Sequence, residues 1–576
     1  MKLTAIGALS AAIVALAACS PKPAEAPKAA EPVAPAGPVA PVGAVLTTSP
    51  EIKAEDIAAR DKELADDKYE GRGPGTITGE ASAQWIADEM KRIGLEPAVN
   101  GSYFQDVDVV AQTVTPDKSS FGIIDAKGAK VDFAWGKDIV YATKHQNVDQ
   151  VTFKDTDVVF VGYGVDAPEE RWNDFAGVDV KGKTIVMFIN DPGFVTHDPK
   201  IFKGMAMTYY GRWTYKFEEA AHMGAAAAII IHETEPAAYG WNVVQSSWTG
   251  EQSDLVRSDG GASTALMEGW ITLDKAKEVF AKAGLDIDKM RAAANKPGFK
   301  AVPMTGLKAS GTITQTIARR KSRNVAGVIK GTEHPDEHYL FTAHWDHLGK
   351  DPKAPAGTDG IHNGAVDNGT GVATILEIAE KLAHDPKPKR SVTFLSVTLE
   401  ESGLLGSAYF AEHPFIPLNK IVAGTNIDAL QPFGPAKDML AIGSGAQEQE
   451  DLLKAILAKG KRTLSPDPKP EKGGFFRSDH ISLAKKGVPM LDLGTGTDLV
   501  AGGKAAGQKL SDDYTEHRYH QVSDEFDPKW DWSGVVQDAT VMADLATEVA
   551  NSDKWPGWYK TSEFKTIRDA SLKGGN

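Results

Sequence analysis

Five side chains of metal-binding type punctuate the second half of the chain: His344, Asp367, Glu401, Asp428 and His520. A further carboxylate, Glu400, stands directly beside the third. Two imidazoles with three carboxylates suit a pair of zinc ions that share one bridging carboxylate. Glu400, the spare neighbour, has the character of a general base that takes a proton from a water and passes it to a leaving amine. Together these residues point to metal-dependent hydrolysis.

Taken singly the residues carry less. A lone histidine at a strand end is more often structural, but Asp346 follows His344 by two positions and could orient it. His347 falls on the loop side and reads as the weaker ligand. Asp367, in the glycine-rich turn "NGAVDNGTG", could by itself be a helix-capping aspartate. Asp428 closes an apolar run, where a carboxylate needs a partner. Glu400 and Glu401, adjacent at a strand end, would repel one another without a cation. Tyr519, next to His520, offers a phenol to a developing oxyanion. Arg477 in "FFRSDH" is a candidate grip for substrate oxygens, and on spacing alone a surface arginine fits equally well.

The surrounding pattern has to position these groups. After Ser322 the chain alternates strand-like and helix-like segments: "EHYLFTAHWDHLG", "GTGVATILEIAEKLAH", "SVTFLSVTLEE", "KIVAGTNIDAL", "DLLKAILAKG", "GVPMLDLGTG". Buried strands alternating with helices predict an α/β fold with a mostly parallel sheet. Ligands bind such sheets outside the carboxyl ends of the strands, where the candidate residues fall. Thr78 to Ile93 is predicted helical by its apolar spacing. From about Lys118 to Lys308 the texture changes to short β-like runs and turns with occasional helices. There "MTYYGRWTYKF" presents Tyr209, Tyr210, Arg212 and Trp213, which fit a core better than a pocket.

At the N-terminus, Lys2, the apolar run Ile6 to Ala18 and then Cys19 have the form of a targeting segment. A small-residue stretch ending in cysteine resembles the bacterial lipobox. Lipid attachment at Cys19 and a periplasmic or outer-membrane location are therefore expected. Cys19 is the single cysteine of the 576 residues, which leaves the mature chain no disulfide and no thiol catalyst. The Pro/Ala-rich stretch to Pro50 reads as an extended tether. A net charge of -15 argues against nucleic-acid binding.

The ordered set "FTAHWDHLG", "NGAVDNGTGVATILEIA", "TLEESGLLGS", "TNIDAL", "FRSDH" and "YHQVSDEF" resembles the M28 family of zinc peptidases, the bacterial aminopeptidases in particular. "LADDKYEGRGPGTITGEASAQWIADEMKRIGLEPA" looks like that family's entry to its catalytic domain. Val158 to Ala228 looks like the protease-associated (PA) domain often inserted there. The resemblance implies two Zn2+ ions. One would be held by His344, Asp428 and the bridge Asp367; the other would share Asp367 and add Glu401 and His520. It also implies Glu400 as general base, Asp346 as the aspartate behind the ligand His344, and Tyr519 and Arg477 as transition-state or product-binding groups. Thr370 stands where serine is common, a mild departure.

The expected organisation is a lipoprotein signal (1–18), a tether (19–50), a first catalytic segment (51–117) and an inserted, β-rich α+β PA-type domain (118–308). A second catalytic segment (309–552) and a C-terminal tail (553–576) follow. The expected activity is a dizinc aminopeptidase acting on short peptides. An acidic centre attracts a free α-amine, which places aminopeptidase ahead of a carboxypeptidase or dipeptidase. Glutaminyl cyclase and a receptor-like protein without activity are the remaining alternatives.

Overall fold

The computed structural model describes residues 43–574. The expected signal segment and Cys19 lie outside the described residues. Among those described, no helix is long and apolar enough to cross a membrane.

Two sheets organise the chain, and one strand belongs to both. In the first, the strand His334–His344 lies between Arg390–Val397 and Ile421–Ile427, and Met490–Thr495 follows; these four run parallel. Antiparallel strands flank them, Asp438–Ile442 on one side and the end of Val302–Ile329 on the other. The parallel strands are buried on both faces, which is why they read as apolar runs rather than alternating ones. Phe341 and Phe394 stack 5.2 Å apart on the face covered by the helices Gly371–His384 and Ser533–Asn551. Leu340 and Leu395 serve the opposite face, against Phe410 and Leu483.

The second sheet is built from residues 120–272 and the first half of Val302–Ile329. Its centre is again parallel, with Ala227–His232 between Thr184–Phe188 and Met267–Thr272. Ile229 and Ile231 face the core shared with the helix Leu273–Lys282, while Ala228 and Ile230 face Phe217 and Trp248. This is the period-two alternation of a strand covered on both sides. The long strand Val302–Ile329 pairs with Gln150–Phe160 at one end and Phe104–Val114 at the other, so the insertion is sewn into the first sheet.

Both expected ends differ from the structure. The tether was placed to Pro50, yet Ala44 receives a hydrogen bond from the Trp85 indole at 3.0 Å, and Thr48 donates to Glu380 at 2.6 Å. These residues join a buried network in which Arg60 pairs with Glu89, Glu377 and Glu380. The expected tail also folds: Trp558 is buried and donates to Gly487 O at 2.8 Å. The helix Lys565–Lys573 sends Arg568 to Ile421 O at 2.7 Å. Both segments lack long apolar runs, and a few anchors docked on a finished surface hold them.

Candidate metal centre

The site assembles at the carboxyl ends of the parallel strands. His344 is the last residue of its strand, and Asp428 immediately follows Ile421–Ile427. The strand carrying Glu400 and Glu401 ends at Val397, earlier than the sequence suggested. Leu399 then takes a left-handed conformation (φ 58°), rare for a non-glycine residue, and turns the chain so that the paired carboxylates no longer alternate across a strand. Leu405 N, Leu404 N and Gly403 N bond back to Leu399 O and Glu400 O and hold that turn. Asp367 sits in a kinked turn before the helix Gly371–His384, and His520 follows the helix Gly503–His517, also at positive φ.

The five expected ligands do converge. His344 Nε2 lies 3.3 Å from Asp367 Oδ1 and 3.3 Å from Asp428 Oδ1. His520 Nε2 lies 3.3 Å from Asp367 Oδ2 and 3.1 Å from Glu401 Oε2. Asp367 therefore presents one oxygen to each half, as a shared carboxylate must. Two donors at about 2.0–2.1 Å from a tetrahedral zinc are separated by roughly 3.3 Å, so these spacings fit the expected metal. Two groupings on either side of Asp367 could each hold an ion: His344 with Asp367 and Asp428, and His347 with Asp367 and Glu401.

His347 is the residue whose sequence reading changes most. It is buried rather than loop-side, with Nδ1 2.7 Å from Glu401 Oε1. That separation is shorter than a ligand–ligand edge and matches a charge-assisted hydrogen bond. His347 Nδ1–H therefore donates to Glu401 Oε1 and leaves Oε2 on the side of His520.

The electrostatics show the need for positive charge. Burial disfavours a protonated His344, but Asp428, Glu400 and Asp367 outweigh it and push its pKa well above the ordinary value. His520 responds likewise: burial opposes, Asp367 and Glu401 prevail, and the pKa rises to about 10. Glu400 is pushed well up by burial, with Glu401, Asp428 and Asp479 adding to the shift against His344. A cation between these groups would relieve the repulsion that protons otherwise relieve.

Supporting contacts explain the rigidity. Asp346 was expected to orient His344 through its side chain. Instead its backbone carbonyl accepts from His344 Nδ1 at 3.1 Å, while its Oδ1 lies 3.9 Å away. That Oδ1 accepts from Glu400 N at 3.1 Å, so the Asp346 carboxylate positions the candidate base rather than the ligand. Asp524 accepts from Val366 N and Asp367 N at 3.2 and 3.0 Å and fixes the bridging residue. Asn368 ties the two halves together, donating to Ile427 O at 2.9 Å and accepting from Ala429 N at 3.1 Å. Arg72, buried and from the first segment, donates to Trp345 O and Gly364 O, each at 2.8 Å. Asp524 and Arg72 had no sequence reading; the adjacency of Asp524 to "YHQVS" was the available signal for the first.

The two substrate-facing candidates are placed differently. Tyr519 is half exposed and its ring stacks on His520, centroids 3.9 Å apart. Arg477 is exposed, its guanidinium 5.9 Å from the Tyr239 ring of the insertion.

Parts of the chain are similar to known proteins. A probable zinc metalloprotease of Pyrenophora teres f. teres (strain 0-1) is 40% identical over 88 residues, 15% of this chain and 18% of its own length. Aminopeptidase YwaD of Bacillus subtilis (strain 168) is 35% identical over 101 residues, 17% of this chain and 19% of its own. The chain thus spans about a fifth of the length of these curated relatives. The solved aminopeptidase from Aneurinibacillus sp. strain AM-1 aligns with 87% of this chain and 94% of its own, at 18% identity and a TM-score of 0.46. Residues 324–546, which carry all five expected ligands, match the sequence model of Peptidase family M28.

Proposed function

We propose that the protein is a dizinc aminopeptidase that removes the N-terminal residue of short peptides. The observation that carries this reading is the division of the Asp367 carboxylate between His344 and His520, each completed by a second carboxylate. His344, Asp367 and Asp428 would hold one ion, and Asp367, Glu401 and His520 the other. Zinc, when bound, supplies Lewis acidity for the scissile carbonyl and for an attacking water.

The chain's own groups supply the rest. Glu400, largely buried and held by its backbone to Asp346, accepts the proton of the attacking water at its carboxylate and delivers it to the departing amine. The Tyr519 hydroxyl, carried on a ring packed against His520, donates to the oxyanion. The carboxylate-rich wall receives the substrate's free ammonium, which favours an aminopeptidase over a carboxypeptidase. The expected PA character of the insertion, lipid attachment at Cys19 and a periplasmic or outer-membrane location complete the proposal.

A panel of aminoacyl p-nitroanilides and dipeptides, free and N-blocked, with and without exhaustive chelation, tests it. Cleavage confined to free-amine substrates and lost on chelation is the expected outcome. Equal cleavage of N-blocked substrates would overturn the aminopeptidase reading, and activity that survives chelation would overturn the metal requirement.

A further inference from the structure

The second sheet repeats, inside the insertion, the arrangement that places the metal centre in the first. Three adjacent strands of that sheet, Gln150–Phe160, Thr184–Phe188 and Ala227–His232, run parallel. Crevices outside the carboxyl ends of parallel strands are where such sheets take ligands. A cavity of about 290 Å³ opens at those ends. Tyr163 reaches it three residues past the first strand, Ile189 and Asn190 directly follow the second, and Glu233 directly follows the third. None of the metal-site residues lines it.

The walls are chemically divided. Phe194, Val195 and Pro236 join Ile189 as an apolar side, with Val195 exposed. The polar side carries both signs. Arg291, from the helix Ile287–Ala294, places Nη2 2.6 Å from Glu233 Oε1 and its guanidinium 4.8 Å from the Phe188 ring. Its Nε is buried and has no hydrogen-bond partner. Burial pushes the Glu233 carboxyl up, and the Arg291 charge opposes that shift without cancelling it. Glu235, two residues on, adds an exposed carboxylate to the same wall. The ion pair is thus short of an acceptor on the arginine side and of a further cation on the glutamate side.

A ligand with neighbouring charges of opposite sign meets both needs. We propose that this cavity is a binding site for a free α-amino acid with an apolar side chain, separate from the metal centre. The ammonium joins Glu233 and Glu235, the carboxylate supplies Arg291 with the acceptor it lacks, and the side chain covers Ile189, Phe194 and Val195. Contacts in which both partners are charged are the stronger class of hydrogen bond. The volume falls at the bottom of the roughly 300–1,000 Å³ span of ligand pockets, which suits one amino acid rather than a peptide. A free amino acid is also the chemical class that the proposed reaction releases, so the insertion would hold the product of the domain it interrupts.

Titration calorimetry on the full protein with L-leucine, L-leucinamide and N-acetyl-L-leucine tests the site. It is run on zinc-loaded protein and again after exhaustive chelation, which silences binding of the amino acid to zinc. One equivalent of leucine should bind in both forms. Removing either charge of the ligand should weaken binding roughly ten- to a hundredfold, the range for a charge-assisted contact. Glu233→Gln and Arg291→Gln should each weaken leucine by a similar factor and leave zinc content unchanged. Val195→Trp, at an exposed position, fills the cavity and keeps the ion pair, and it should abolish leucine binding even if the charge variants fold poorly. Absence of binding to the chelated wild type would overturn the site, as would equal affinity for leucine and its amide. Unchanged affinity in Val195→Trp would place the leucine elsewhere and overturn it too. No turnover is measured, so none of these results depends on the aminopeptidase reading.

Discussion

The insertion and the catalytic sheet each bury a knot of charge, and the two are wired in opposite ways. In the insertion, Lys216 is fully buried between Asp174 and Asp191. Asp174 accepts from Tyr163 N, Val165 N and the Trp172 indole at 2.8–3.1 Å. Asp191 accepts from Gly193 N and from Thr208 at 2.7–3.2 Å, and Lys216 donates to Tyr163 O. Burial drives both carboxyls up and the lysine down, while mutual attraction and the backbone donors oppose that drive. Each carboxylate oxygen there has a hydrogen-bond donor and the lysine has a carbonyl acceptor, and the knot fastens the turns at Tyr163, Gly193 and Thr208 to one another.

At the metal centre the acceptors outnumber the donors. Asp367, Glu400, Glu401 and Asp428 converge on His344 and His520, with His347 committed to Glu401. The backbone contacts from Asp524, Asn368 and Asp346 fix where the carboxylates stand and leave their outer oxygens unneutralised. A buried cluster that is complete without a ligand is architecture, and one held rigid while incomplete is a receptor for a cation. Altering each knot should therefore have a different consequence.

The largest effect is expected at the incomplete knot. Glu400→Gln should keep two equivalents of zinc by elemental analysis and lose roughly a hundred- to ten-thousandfold in kcat, the range of a general base. Glu401→Ala should lose activity together with the second equivalent of metal. Full activity in Glu400→Gln would remove its role as base, and two tightly held equivalents in Glu401→Ala would break the proposed ligand division.

At the complete knot the damage should be to folding alone. Lys216→Met keeps the length of the side chain and leaves Asp174 and Asp191 without their cation. Removing one partner of a buried charge set costs about 3–5 kcal/mol. Urea unfolding followed by tryptophan fluorescence should show a loss of that size, with zinc content unchanged at low denaturant. An unaltered midpoint would mean that the lysine is no more than a spectator, and the contrast between the knots would fail.

The contrast also explains which parts of the site could be read along the chain. His344, Asp428 and Glu400–Glu401 follow apolar runs, so local pattern alone marks them as strand-end groups. Their supporters carry no such mark. Arg72 reaches Trp345 and Gly364 across more than 270 positions, and Asp524 reaches Asp367 across 157. Neither lies in an apolar context that would make its charge conspicuous. His347 looked loop-like because the strand ends at His344, but the chain folds back beneath Arg72 O and buries it. The Lys216 knot was equally hidden, since a lysine in "WTYKFEE" fits the polar face of an amphipathic helix until Tyr163 and the two aspartates close over it. Periodicity reports which face of an element is apolar; it does not report which distant backbone will arrive there.

One buried group belongs to neither class, and its titration sharpens the distinction. His480 is fully buried, its ring against Phe475 at 4.7 Å, and neither ring nitrogen has a hydrogen-bond partner, with Asp492 Oδ2 at 3.7 Å. Burial lowers its pKa from 6.5 to about 3. The folded protein therefore refuses a proton that the unfolded chain accepts. This contribution to stability is complete above pH 6.5 and declines as the pH falls toward 3. Each unit in that window removes about 1.4 kcal/mol, so at pH 5 the loss should be about 2 kcal/mol. His480→Phe removes the titrating group and keeps an aromatic ring beside Phe475. Urea unfolding of wild type and variant at pH 8 and pH 5 isolates the effect: wild type should lose about 2 kcal/mol more than the variant between the two conditions. Equal losses would place a charged His480 in the folded state at pH 5. Asp492, 3.7 Å away, would then be the counter-charge of the imidazolium.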